Sequence, residues 1–89
     1  MSYELIIERK ARKALARLPQ RIYDRVMEGV YALAEDPYPR SSRKLQNTEN
    51  RRLRVGEYRV IYFVGEAVEG DEPGTVYVLD VGHRQGIYG

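Results

Sequence analysis

Apolar and polar positions alternate at the start of the chain, with Tyr3, Leu5 and Ile7 against Glu4 and Glu8, and this period of two predicts a half-buried strand. From Arg9 the period changes. Ala11, Ala14, Leu15 and Leu18 recur at helical spacing, with basic residues on the remaining faces, until Pro19 ends the helix. A second helix follows, because a proline is tolerated in a first turn and Ile22, Val26, Val30 and Leu33 repeat along one stripe. Asp36-Pro37-Tyr38-Pro39 stops it, so the two helices form an αα-hairpin.

The next stretch, Arg40 to Asn50, has no clear period and reads as a loop pinned by Leu45. Arg52-Leu53-Arg54-Val55 then alternates, Gly56-Glu57 supplies a two-residue type II′ turn, and Tyr58 to Val64 is apolar on both faces except at Arg59. That pattern predicts a central strand covered by helices on one side. Val76 to Val81 reads as the last strand and Gly82 to Gly89 as a short tail. Between them Glu66, Glu69, Asp71 and Glu72 crowd into a turn punctuated by Gly65, Gly70, Pro73 and Gly74. The expected fold is α+β, in the order β-α-α-β-β-β: an N-terminal strand, an αα-hairpin and three antiparallel strands in a roughly four-stranded sheet.

At 89 residues, one core and hence one domain, 1–89, is expected. The chain has no cysteine, which removes disulfides, thiolate nucleophiles and Cys-type zinc sites. No apolar stretch approaches the roughly 20 residues that span a bilayer, and the start lacks the pattern of a signal peptide, so a cytoplasmic protein with no membrane partner is expected. The net charge is only +2, but seven basic residues against one acid lie between Arg9 and Arg25. Such a run serves equally as a solvated helix face or as a surface for an acidic partner.

The two-residue turn sets a register. Val55 should face Tyr58, Arg54 should face Arg59 and Leu53 should face Val60, which puts Arg52, Arg54 and Arg59 on one side of the sheet. Opposed like charges destabilise a sheet by a few tenths to about 1 kcal/mol, and a polyanion would turn that repulsion into charge-assisted hydrogen bonds. The competing reading is an ordinary solvated face, with the arginines paired to Glu49 or Glu57. Beyond the last strand come His83, Arg84 and Tyr88. Cleavage of RNA by the adjacent 2′-hydroxyl needs a proton acceptor, charge stabilisation and a proton donor. His83, the one histidine, could take a proton role, Arg59 and Arg84 the charge, and Tyr88 a stacked base. Carboxylates do not converge as a metal nuclease requires, so neither metal nor cofactor is expected.

The opening strand Tyr3-Glu4-Leu5-Ile6-Ile7, the phrase Lys13-Ala14-Leu15-Ala16-Arg17-Leu18-Pro19, the run from Arg52 to Tyr62 and the ending Gly82-His83-Arg84-Gln85-Gly86-Ile87-Tyr88 together resemble the RelE/ParE superfamily of bacterial toxin-antitoxin systems, and more closely its RelE branch. The resemblance implies a metal-independent endoribonuclease that enters the ribosomal A site, cuts mRNA there and is neutralised by a RelB-like antitoxin. It implies Arg52 and Arg54 as the basic positions of one strand, Arg59 as a phosphate-binding arginine, Arg84 at the leaving group and Tyr88 as the base-stacking tyrosine. Arg43, Lys44 and Arg51 are expected to add RNA contacts. Well-studied RelE toxins carry lysine where this chain has Arg52 and Arg54. Arginine does not deprotonate in proteins, which shifts the expected general base to His83. Two alternatives stand beside the nuclease: a ParE-like inhibitor of DNA gyrase that binds protein and cuts no RNA, and an RNA-binding module without activity.

Overall fold

The computed structural model describes residues 2–67 and 73–86. Its elements are β1 (Glu4–Ile7), α1 (Arg9–Ala16), α2 (Gln20–Glu35), β2 (Ser42–Lys44), β3 (Arg51–Val55), β4 (Tyr58–Gly65) and β5 (Thr75–His83). They form a five-stranded sheet in the order β1-β5-β4-β3-β2, antiparallel except where β1 runs parallel to β5. The α+β class is that read from the sequence, and so is the element order apart from one added strand. The acidic turn falls largely on residues 68–72, which lie outside the described residues.

The sheet has one strand more than expected. Within the segment read as a loop, β2 pairs with β3 from Ser42↔Leu53 to Lys44↔Arg51. Its three residues are polar, so no hydrophobic alternation marks it, and edge strands are often short and charged. What fixes it is backbone pairing, including the Arg54 N–H to Ser41 O bond of 3.0 Å. The remainder of that segment turns through Asn47, in the left-handed region at φ 63°, and closes with Leu45 N–H on Asn50 O at 2.8 Å.

Both helices end where their chemistry requires. The chain leaves α1 through bonds from Arg17 N–H to Ala14 O and Leu18 N–H to Leu15 O, and Pro19 then caps α2 at φ −56°, where its missing N–H costs nothing. At the far end Asp36 is extended, as a residue before proline must be, and its Oδ1 accepts the Tyr38 N–H in an Asx turn.

The core lies between the helices and one face of the sheet. Ala11, Leu15, Val26, Val30 and Leu33 from the helices meet Leu53, Val60, Tyr62, Val76, Val78 and Val81. Val78 and Val81 are three residues apart yet both buried, because the pairing of β4 with β5 shifts between Ile61 and Tyr62. That bulge keeps Val81 inward and re-aims the end of β5. At Gly29 the helix α2 sits so near β3 that an added Cβ would lie 3.2 Å from Leu53 and from Val55.

One polar cluster closes the sheet at the end away from the β3–β4 hairpin. Glu66 accepts hydrogen bonds from the hydroxyls of Tyr3, at 2.8 Å, and Tyr38. Desolvation and then the Glu66 bond push the Tyr38 hydroxyl up to about 12. The Glu66 bond is the first cause that raises Tyr3, and the Tyr38 bond the first that lowers Glu66. A phenol that ionises near 10 when unfolded and near 12 when folded stabilises the fold below pH 10, and that contribution disappears as pH rises from 10 to 12. Glu66 acts in the opposite sense, contributing above its ordinary value of 4.5 and losing that contribution as pH falls below it. Urea midpoints measured across pH 10 to 12 are therefore expected to fall more steeply in the wild type than in Tyr38→Phe. Parallel curves would refute the contribution.

Candidate nucleic-acid interface

The β3–β4 turn builds the site. Gly56 takes φ 58° and Glu57 does not enter the left-handed region, as a type II′ turn requires. The resulting register is the one read from the sequence: Val55↔Tyr58, Arg54↔Arg59, Leu53↔Val60. Side chains alternate across a strand, so Arg52, Arg54 and Arg59 stand on the face opposite the helices. Through β2 the register adds Arg43, directly opposite Arg52.

Two rows result. Arg43, Arg52 and Ile61 cross β2, β3 and β4, and Arg54 and Arg59 lie opposite each other in the next row, with Gly82 of β5 beside Arg59. Gly82 contributes no side chain on that flank, and the Arg59 Nε is buried without a hydrogen-bond partner among the described residues. The Arg59 guanidinium is steadied by Nη1, which donates to Gly56 O at 3.3 Å and Tyr58 O at 3.2 Å. Toward the β2 edge a small cavity of about 70 Å³ is lined by Arg40, Ser41, Arg43, Arg52 and Arg54. Arg40 and Ser41 were not singled out from the sequence. Their segment has no periodicity, and only the pairing of β2 brings them to the arginines.

Among the described residues, Asp80, which stands opposite Ile61 on this face, binds Lys10 at 3.2 Å, and Glu57 and Glu49 bind cations of their own. Glu57 binds Arg84, Oε2 to Nε at 2.6 Å, and the Arg84 N–H donates to Glu57 O at 2.8 Å. Glu49 binds Lys44 at 3.6 Å. Arg84 is thereby fastened to the hairpin tip, next to the Arg54–Arg59 row.

Three of the sequence-derived candidates lie away from the arginines. Arg51 and Lys44 pair with each other across the ladder on the helix side of the sheet. Arg51 donates from Nη2 to Ser42 Oγ at 3.0 Å and from Nε to Tyr62 Oη at 3.4 Å, with its guanidinium 5.0 Å from the centre of the Tyr38 ring. It fastens the core edge.

His83 is the larger displacement. It pairs with Tyr58, whose side chain is on the helix side, and meets that ring edge to face at 5.4 Å. Its Nδ1 accepts the Gln85 N–H at 3.2 Å. It borders a cavity of about 330 Å³ whose lining includes Ile22, Arg25, Val26, Val55 and Tyr58, across the sheet from Arg52 and Arg54. Counting residues along β5 gives the reason: Gly82 is opposite Arg59, so its neighbour His83 points the other way. Tyr88 lies outside the described residues.

This architecture, a helical hairpin on one face of a mostly antiparallel sheet and arginines on the other, is that of small toxins. The sequence matches the model of the ParE toxin of type II toxin-antitoxin systems, parDE, over residues 5–88. The chain belongs to that family, within the RelE/ParE superfamily. Among solved structures it is similar to the toxin-antitoxin complex RelBE2 of Mycobacterium tuberculosis, at 31% identity over 94% of this chain and 100% of that one, with a TM-score of 0.77. The archaeal RelE-RelB complex of Pyrococcus horikoshii is 32% identical over 94% of this chain and 97% of that one, with a TM-score of 0.75. The intact RelBE complex of E. coli is 25% identical over 92% and 96%, with a TM-score of 0.71. No curated protein matches the sequence significantly.

Proposed function

We propose that this toxin cuts mRNA in the ribosomal A site, without a metal, and that a RelB-like antitoxin holds it in check. The observation that carries the reading is the convergence of Arg43, Arg52, Arg54 and Arg59 on the face without helices. In the reaction the 2′-hydroxyl oxygen attacks the adjacent phosphorus, the bond to the 5′ oxygen breaks, and a cyclic phosphate and a 5′-hydroxyl remain. Negative charge gathers on the phosphorane-like oxygens, where planar guanidinium donors fit and act without reorganising. Arg84, held at the hairpin tip by Glu57, supplies charge at the leaving oxygen.

The proton is handled differently from the expectation drawn from sequence. Guanidinium groups are donors and not bases, and His83 faces the other way, so the 2′-hydroxyl proton leaves to solvent or to a group of the ribosome, and the departing 5′ oxygen takes its proton from the same source. His83→Gln is expected to cut at a rate within about threefold of wild type and to keep the same pH profile. A limb near neutrality that vanishes in His83→Gln would return the histidine to the reaction.

The antitoxin reading rests on the groove between α2 and the hairpin. Ile22, Val26, Val55 and Tyr58 offer an apolar floor, with the exposed Arg25 at its rim, which suits an amphipathic segment carrying acidic side chains.

Inhibition of gyrase is the second reading, and the family model that matches favours it. The two separate in parallel assays. Purified toxin added to programmed ribosomes with an empty A site should yield a cut within the A-site codon by primer extension, and gyrase supercoiling should proceed unimpaired. Intact mRNA with supercoiling blocked at stoichiometric toxin would establish the gyrase reading instead.

A further inference from the structure

We propose that the sheet face carrying the arginines continues into a platform on which Phe63 and Tyr77 stack bases of the bound RNA; the proposal rests on the RNA reading above and extends it to a second contact. Register places Ile6, Tyr77 and Phe63 in one row across β1, β5 and β4. On β4, residues 59, 61 and 63 alternate with the buried Val60 and Tyr62, so Phe63 shares the face of Arg59. The rings of Phe63 and Tyr77 lie 6.2 Å apart between centres at 36°, both half-buried, and Ile6 beside them is 43% exposed.

The fold itself gives these side chains little to do. Its core is on the opposite face, and among the described residues neither helix crosses this one. An aromatic row there leaves apolar surface in water, which ordinarily marks a binding surface.

The chemistry next to it says what binds. One row away stand Arg43, Arg52, Ile61 and Asp80, the last bound to Lys10 at 3.2 Å, and two rows away Arg54 and Arg59. At about 3.3 Å per residue along a strand, those rows are roughly 7 and 13 Å from Phe63. A polyanion with flat apolar faces fits that division: phosphates on guanidinium groups, bases on rings. Single-stranded nucleic acids are held in this way, by a basic track with aromatic side chains under successive bases, and open sheet faces serve as such platforms. An acidic peptide would satisfy the arginines but carries no faces that stack in register with phosphates.

The test titrates the full chain, by fluorescence anisotropy, with a short single-stranded RNA made uncleavable by 2′-O-methylation and with the same strand carrying abasic residues in place of its central bases. Wild type is expected to bind the base-bearing strand tighter by roughly 5- to 150-fold for each stacked base. Phe63→Leu/Tyr77→Leu should erase that difference and leave the salt dependence of affinity unchanged, whereas Arg54→Ala should flatten the salt dependence and keep the preference for bases. Tyr77→Leu alone, with Phe63 in place, should give a partial loss and covers the case in which the double variant does not fold. The platform is overturned if wild type binds both strands equally, or if the double variant still prefers bases. A toxin that cuts A-site mRNA without distinguishing the strands disproves the platform alone. One that distinguishes them without cutting disproves the nuclease reading alone.

Discussion

Arg59→Gln toxin is expected to cut A-site mRNA roughly 10²- to 10³-fold more slowly than wild type, the loss typical when one preorganised donor to a developing oxyanion is removed. Arg59 is the arginine whose position the fold specifies most fully. It stands on the central strand, opposite Arg54, beside Gly82, with Nη1 on the carbonyls of Gly56 and Tyr58. Glutamine keeps a polar but shorter side chain and removes the charge and the fork. The fold should not suffer in proportion. Removing one of two directly opposed guanidinium groups relieves a repulsion of a few tenths to about 1 kcal/mol, against the loss of one exposed and one part-buried hydrogen bond of similar net worth. Single-turnover cleavage and urea unfolding on the same preparation check both halves. Cutting within threefold of wild type would remove Arg59 from the reaction, and cutting lost together with a collapsed urea midpoint would mean that the residue is structural.

That expectation rests on a feature legible in the sequence, and the reason is instructive. A two-residue turn allows one register, and register together with alternation decides which side chains share a face, so Gly56-Glu57 was enough to group Arg52, Arg54 and Arg59. Arg43 and Lys44 show where the same logic fails. They are adjacent and both basic, but only the pairing of β2 with β3 turns Arg43 toward the arginines and Lys44 away, and a polar strand of three residues leaves no periodic trace. His83 fails for another reason. Its neighbours in sequence, Arg84 and Gln85, invite a shared site, yet a residue at a strand end obeys the strand's alternation, and opposite Tyr58 it belongs to the helix side. The helices were read from their stripes because burial of one face is local information. The bulge in β5 was not, since it is defined only by a partner strand.

Tyr62→Ala is expected to bring the protein close to unfolding at ambient temperature. Tyr62 is fully buried on the central strand, and truncating a large aromatic side chain in a core costs about 3–5 kcal/mol, against a total of about 5–15 kcal/mol for a typical domain. Its hydroxyl adds a second loss. It donates to Pro37 O at 2.6 Å and accepts from Arg51 Nε at 3.4 Å, and Pro37 is itself buried. Without the hydroxyl that carbonyl loses the side-chain donor it has, a penalty of about 1–3 kcal/mol for a buried acceptor. Tyr62→Phe isolates this part, keeping the ring and removing the bond, so urea unfolding should rank wild type, then Phe, then Ala. The Phe variant also tests how the core reaches the interface. Pro37 leads through Pro39, whose carbonyl accepts both the N–H and the hydroxyl of Ser42, into β2 and hence to Arg43. A loosened Pro37 should therefore widen the amide-exchange difference at Ser42 and Arg43 more than at Val60, which sits on the same strand as Tyr62 but contacts neither proline segment through a hydrogen bond. Equal exchange at all three positions would show that the tyrosine stabilises the core without holding β2 in place.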